Sequence, residues 1–114
     1  MKDGIDQDDV HSIKVLMGDK FGELVERYIV NSRIYIQEIH VALESKDAVA
    51  VARSAHALKS PSYMIGMKAL GELAENIEGQ AKEQGERALG SIALLMPLVE
   101  AHFAKAEEFL DAQV

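Results

Sequence analysis

The sequence predicts an all-α fold: an antiparallel up-down four-helix bundle with a short additional N-terminal helix. Three observations carry this. Apolar residues recur at spacings of three and four through most of the chain, the period of one face of an α-helix. No stretch sustains the period-two alternation of a strand, and no Asn-Gly or Asp-Gly pair joins two such stretches. Most of the glycines fall where one periodic stretch stops and the next begins, and connections that short favour antiparallel neighbours.

The elements follow in order. Asp6 to Met17 reads as a short first helix, with acidic residues in its opening turn and Val10, Ile13 and Met17 along one face; Gly18-Asp19 ends it. Lys20 to Glu44 reads as one long helix, its apolar residues being Phe21, Leu24, Val25, Tyr28, Tyr35, Ile39 and Leu43. Ser45-Lys46-Asp47 is a turn, with Asp47 as N-cap of a third helix from about Ala48 to near Ile65. Gly66 marks the next turn. Met67 to about Glu83 forms the fourth helix, with Leu70, Leu73, Ala74, Ile77 and Ala81 inward, and Gln84-Gly85 breaks it. The last helix, Glu86 to about Ala112, carries Ile92, Met96, Val99, Phe103, Ala106 and Leu110; Pro97 inside it should bend it.

Length and composition narrow the function classes. A chain of 114 residues is expected to form one domain over residues 1–114, large enough to bury a core without metal or disulfide. Cysteine is absent, which excludes thiol chemistry. The net charge of −7, from 12 basic and 19 acidic residues, argues against nucleic acid or an anionic membrane surface as partner. The acidic stretch from Met1 to Asp9 is no signal peptide, and no apolar run approaches the roughly 18–20 residues of a membrane helix. A soluble, cytoplasmic, free-standing monomer is expected. There is no Gly-rich phosphate loop and no acidic Mg²⁺ cluster, so the chain should not use ATP, and no cofactor or metal is expected.

The stretch Ala55-His56-Ala57-Leu58-Lys59-Ser60 holds the candidate chemistry. At about 100° per residue, Val51, Ala55, Leu58 and Ser62 form one narrow stripe that should face the core. His56 lies roughly 160–200° from Leu58 and should point outward. Its neighbours on that side are Val49, Ala52, Arg53, Lys59, Ser60 and Tyr63. A titratable nucleophile with a cation one turn away suits a phosphoryl group: the imidazole can attack phosphorus and the ammonium can neutralise its oxygens. His11, His40 and His102 lack the Glu-x-x-His spacing of a helical di-metal site, and Ser12, Ser32 and Ser91 have no triad context.

Ala55, His56, Leu58 and Lys59, with Gly66 ten residues after the histidine, Leu70 fourteen after, and the pair Ile77-Glu78, form a pattern that resembles the histidine-containing phosphotransfer (HPt) domains. About 25 residues match closely. Ser60 stands where the family has glycine. Pro61 is a larger departure, because a proline removes the hydrogen bond to the Ala57 carbonyl and biases Ser60 away from helical angles, so the helix is expected to kink or end near the active turn.

The resemblance implies a carrier and not an enzyme: His56 would take a phosphoryl group on Nε2 and exchange it with the aspartate of a response-regulator receiver domain, with a hybrid histidine kinase as a further partner. The partner would supply metal and most of the catalysis. Lys59 would stabilise the phosphoryl group. Glu78 would hydrogen-bond the other ring nitrogen, the alternative being an ordinary solvated helix glutamate. An apolar docking patch is expected beside His56 from Val49, Ala52, Ser60 and Tyr63, with Ile13 or Met17 contributed by the first helix. The competing reading is a docking or scaffold module of the same fold that is never phosphorylated.

Overall fold

The computed structural model describes residues 2–114, with side chains from Asp3 onward. Among these residues the chain forms α1 (Gln7–Met17), α2 (Phe21–Glu44), α3 (Ala48–Met64), α4 (Lys68–Gln84) and α5 (Leu89–Gln113), with 3-10 turns at Lys2–Gly4, Gly18–Lys20 and Gly85–Ala88. No strand occurs among the described residues; Ile5 and Met67 form an isolated antiparallel bridge. The all-helical class is the one that the apolar periodicity predicts.

Side-chain caps start two of the helices. Asp6 accepts a hydrogen bond from the Asp9 amide (3.1 Å), and Asp47 accepts one from the Ala50 amide (3.0 Å). The last helix begins later than its periodicity suggests, because a 3-10 turn occupies Gly85–Ala88 and joins α4 directly to α5.

Helix α2 packs against α3 and α5, α3 against α4, and α4 against α5, closing a ring around one core. Val51, Ala55, Leu58 and Ser62 of α3 are all buried, as the wheel requires. On α4 Leu73 is only partly buried, and on α5 Phe103, while their other expected core residues are buried. On α2 the expectation was too narrow. Leu24, Tyr35 and Leu43 are half-buried, whereas Ile29, Ser32, Ile36 and Ala42 join Phe21, Val25, Tyr28 and Ile39 inside. A helix flanked by both α3 and α5 buries a broad face, not a single seam. A polar member of that face is satisfied from α3: the Tyr28 hydroxyl meets Ser62 Oγ at 2.7 Å.

Two expectations need correction. Helix α3 does not end at its proline. Pro61 lies in the last turn, and the Ile65 amide still donates to the Pro61 carbonyl at 3.1 Å, closing that turn. One helical stretch within Lys68–Gln113 is long and apolar enough over 18 residues to meet the length and composition of a membrane span, which the sequence reading did not find. Of its most apolar 18-residue window 33% is buried in the bundle, and Ile92, Met96, Val99 and Leu110 of α5 lie in the core.

Helix α1 is laced to the bundle by its own N-terminus. The Asp6 amide donates to the Gly66 carbonyl at 2.8 Å. Gly66 has φ +86°, and a Cβ there would lie 2.9 Å from the Asp6 carbonyl oxygen and 3.0 Å from Val10. Backbone conformation and close approach both require glycine at this turn.

Candidate functional site

The site grows from the pairing of α3 with α4, the most extensive helix–helix contact in the molecule. Ala52 and Ala55 on α3 and Ala74 and Ala81 on α4 are buried small residues, so the two backbones approach closely enough for a side chain of one helix to reach the other. His56 stands on the outer face of α3 with its side chain 62% exposed. Its Nδ1 lies 2.8 Å from Glu78 Oε2 on α4.

Glu78 is not a solvated surface glutamate. It is 4% exposed and is the one buried charged residue among the described residues. Three nitrogens converge on it: His56 Nδ1, Lys59 Nζ at 2.8 Å from Oε1, and Lys82 Nζ at 2.8 Å from Oε2. Burial alone would raise its pKa. The hydrogen bonds from Lys59, Lys82 and His56 outweigh that and hold the carboxyl at about 2. The hydrogen bond to Glu78 in turn raises the Lys59 pKa, against a smaller desolvation effect.

This electrostatics fixes the proton on the ring. An ionised carboxylate only accepts hydrogen bonds, so His56 Nδ1 must donate. In the neutral imidazole the lone pair then sits on Nε2, on the side of the ring away from Glu78. The arrangement presents an oriented nucleophilic nitrogen to solvent, beside a carboxylate that can stabilise positive charge developing on the ring. Among the described residues no group of three or more His, Cys, Asp or Glu side chains is placed to share a metal ion.

The residues expected to form one docking patch fall on two grooves. Val49 and Ala52 line a 560 Å³ cavity between α3 and α4 together with His56, Arg53, Glu78 and Lys82. Val49 is exposed, but Ala52 is buried and forms part of the floor. Ile13 and Met17 line a separate, largely apolar 400 Å³ groove with Leu16, Tyr28, Pro61 and Met64, where α1 crosses α2 and the end of α3. Ser60 is exposed and lines neither groove. Tyr63 is fixed against α4: its hydroxyl donates to Glu75 Oε1 at 2.7 Å, and its ring lies where a Cβ on Gly71 would come within 3.0 Å. The bond to Glu75, with burial, raises the Tyr63 pKa to about 12.

Lys59 is where the wheel put it, but its ammonium is engaged by Glu78. Lys82 escaped the sequence reading; its signal was the four-residue spacing from Glu78 on one helix face. His40 has a partner as well, Glu100 on α5 at 3.0 Å, which with the 2.6 Å Arg33–Glu107 pair ties α2 to α5.

Among solved structures, the chain resembles the crystal structure of histidine-containing phosphotransfer protein B (HptB) from Pseudomonas aeruginosa PAO1, at a TM-score of 0.88 and 20% sequence identity, over 99% of this chain and 96% of that one. At that identity the likeness speaks to the fold. No curated protein matches the sequence. The family model described as the Hpt domain matches residues 23–111, which span α2 to α5 and include His56, Lys59, Glu78 and Lys82. The outward histidine on a buried, ionised glutamate therefore stands in the part of the chain that the family model covers, and the chain belongs to the Hpt domain family.

Proposed function

We propose that this chain is a phosphorelay carrier that accepts a phosphoryl group on His56 Nε2 and exchanges it with the aspartate of a response-regulator receiver domain. The observation that carries this is the His56–Glu78 pair: an exposed imidazole whose Nδ1 is hydrogen-bonded, at 2.8 Å, to a buried carboxylate. Attack of the Nε2 lone pair on phosphorus forms the N–P bond and breaks the bond from phosphorus to the donor's leaving group, which keeps its electron pair. The ring becomes cationic, and Glu78 stabilises that charge through Nδ1–H. Lys59 supports the step by keeping Glu78 ionised. Transfer onward reverses the process, with the receiver aspartate as nucleophile.

The chain is a carrier in this reading, not an enzyme, and the partner supplies the metal and most of the rate acceleration. The scaffold is an antiparallel up-down bundle of α2 to α5, across which α1 is laid. It works as a cytoplasmic monomer with protein partners, receiver domains and hybrid histidine kinases, and not with nucleic acid or membrane. The partner docks over His56 using Val49 and Ala52 on one side and the α1 groove of Ile13 and Met17 on the other.

Incubation with a phosphorylated receiver, or with phosphoramidate as a small donor, followed by intact-mass measurement before and after acid, tests the reading. The expected result is a gain of one phosphoryl group that acid removes, absent from His56→Gln. Labelling that survives in His56→Gln, or no labelling of the wild-type chain, refutes it; the second result leaves the unphosphorylated docking module.

A further inference from the structure

We propose that Met64 is a modification site: hydrogen peroxide oxidises its thioether to the sulfoxide, and the oxidised side chain weakens receiver docking in the α1 groove. This deepens the carrier reading and rests on it. The chain has five methionines and no cysteine, so its sulfur chemistry is that of methionine. The fold sorts these residues. Met67 and Met96 are 1% and 2% exposed, sealed in the core. Met64, the last residue of α3, is 74% exposed, and Met17, the last residue of α1, is half-buried. Thioether oxidation follows access, so peroxide reaches Met64 first, Met17 more slowly, and the core pair only on unfolding.

Both accessible thioethers line one surface, the 400 Å³ groove where α1 crosses α2 and the end of α3. Their neighbours there include Ile13, Leu16, Leu24 and Pro61, so a partner seated in the groove buries mostly apolar surface. Methionine suits such a surface, because its unbranched, polarisable side chain reshapes to fit what it meets. The oxidation balances with peroxide alone. A lone pair on Met64 Sδ attacks one peroxide oxygen, and the S–O bond forms as the O–O bond breaks. The departing hydroxide takes the remaining proton from the new oxygen and becomes water. Sulfur loses two electrons and peroxide gains them. The sulfoxide oxygen is a strong acceptor, and a partner that closes over it strips its water within a mostly apolar contact. Neither methionine lines the cavity beside His56, so phosphorylation of the ring by a small donor is untouched.

Peroxide is titrated against the folded chain and each added oxygen assigned by peptide mass mapping, with and without the receiver domain that phosphorylates wild-type His56. Met64 should oxidise first, and bound receiver should slow it. With one oxygen on Met64, receiver affinity by titration calorimetry should fall about threefold or more. Phosphoramidate labelling of His56 and the circular dichroism should stay as they were. Methionine sulfoxide reductases should restore the affinity. In Met64→Leu the same peroxide treatment should cost no affinity. Four results overturn the proposal while the carrier reading stands: Met67 or Met96 oxidised as fast as Met64, a bound receiver that leaves the Met64 rate unchanged, an affinity that survives oxidation, or a loss that persists in Met64→Leu. A wild-type chain that takes no phosphoryl group from receiver or phosphoramidate overturns both.

Discussion

Replacing Glu78 by glutamine tests the charge cluster at its centre. Glutamine keeps the size of the side chain and an oxygen for the His56 ring, but removes the charge that Lys59 and Lys82 answer. The carboxyl sits at about 2 against an ordinary 4.5. At 1.36 kcal/mol per unit that difference has a ceiling of about 3 kcal/mol; screening at the exposed Lys82 ammonium trims it to about 2 kcal/mol. The folded-state pKa is depressed, so the contribution is fully present above the unfolded value near 4.5 and is lost as pH falls toward 2. Urea unfolding of both proteins from pH 7 downward measures it. The wild type should exceed Glu78→Gln by about 2 kcal/mol at pH 7, and the gap should begin to close below pH 4.5 and not before. Stability curves that run parallel across that window would show that Glu78 is not held ionised by its neighbours.

Three further outcomes are expected. Gly66→Ala places a side chain at φ +86° and 2.9 Å from the Asp6 carbonyl, and should cost about 2–3 kcal/mol in urea unfolding while loosening α1. Leu58→Ala should cost about 2–5 kcal/mol because the side chain is fully buried, whereas His56→Gln, two residues away on the outer face, should change stability by under about 1 kcal/mol. Leu16→Glu puts a charge on an exposed side chain of the α1 groove; receiver affinity by titration calorimetry should fall at least several-fold with labelling by phosphoramidate unchanged, and an unchanged affinity would place docking elsewhere.

Much of this was legible in the order of residues, and particular elements show why the rest was not. The α3 stripe was read correctly because Val51, Ala55, Leu58 and Ser62 make a single narrow seam with one large anchor, which leaves His56 only the outer face. The wide inner face of α2 was half read, with Ile29 and Ile36 missed, because α2 is flanked by both α3 and α5 and the sequence does not say which helices are neighbours. Gly66 was seen as a break, but its second reason, the Asp6 carbonyl packed against it, is a contact between residues sixty positions apart. The docking patch was drawn as one surface because a helical wheel carries no information about α1; three dimensions divide it between a cavity beside His56 and a groove beyond Pro61. Glu78 was open between two readings, and only its burial and its three nitrogen partners separate them.

The most direct test of the account is the protonation of the His56 ring, read by long-range ¹H–¹⁵N NMR before and after phosphorylation. In the neutral ring of the free chain the Nδ1 resonance should be that of a protonated, hydrogen-bonded nitrogen and the Nε2 resonance that of an unprotonated one; after phosphorylation Nε2 should couple to phosphorus while Nδ1 keeps its proton. A ring protonated on Nε2 alone, or a phosphoryl group on Nδ1 or on any other residue, would contradict the account.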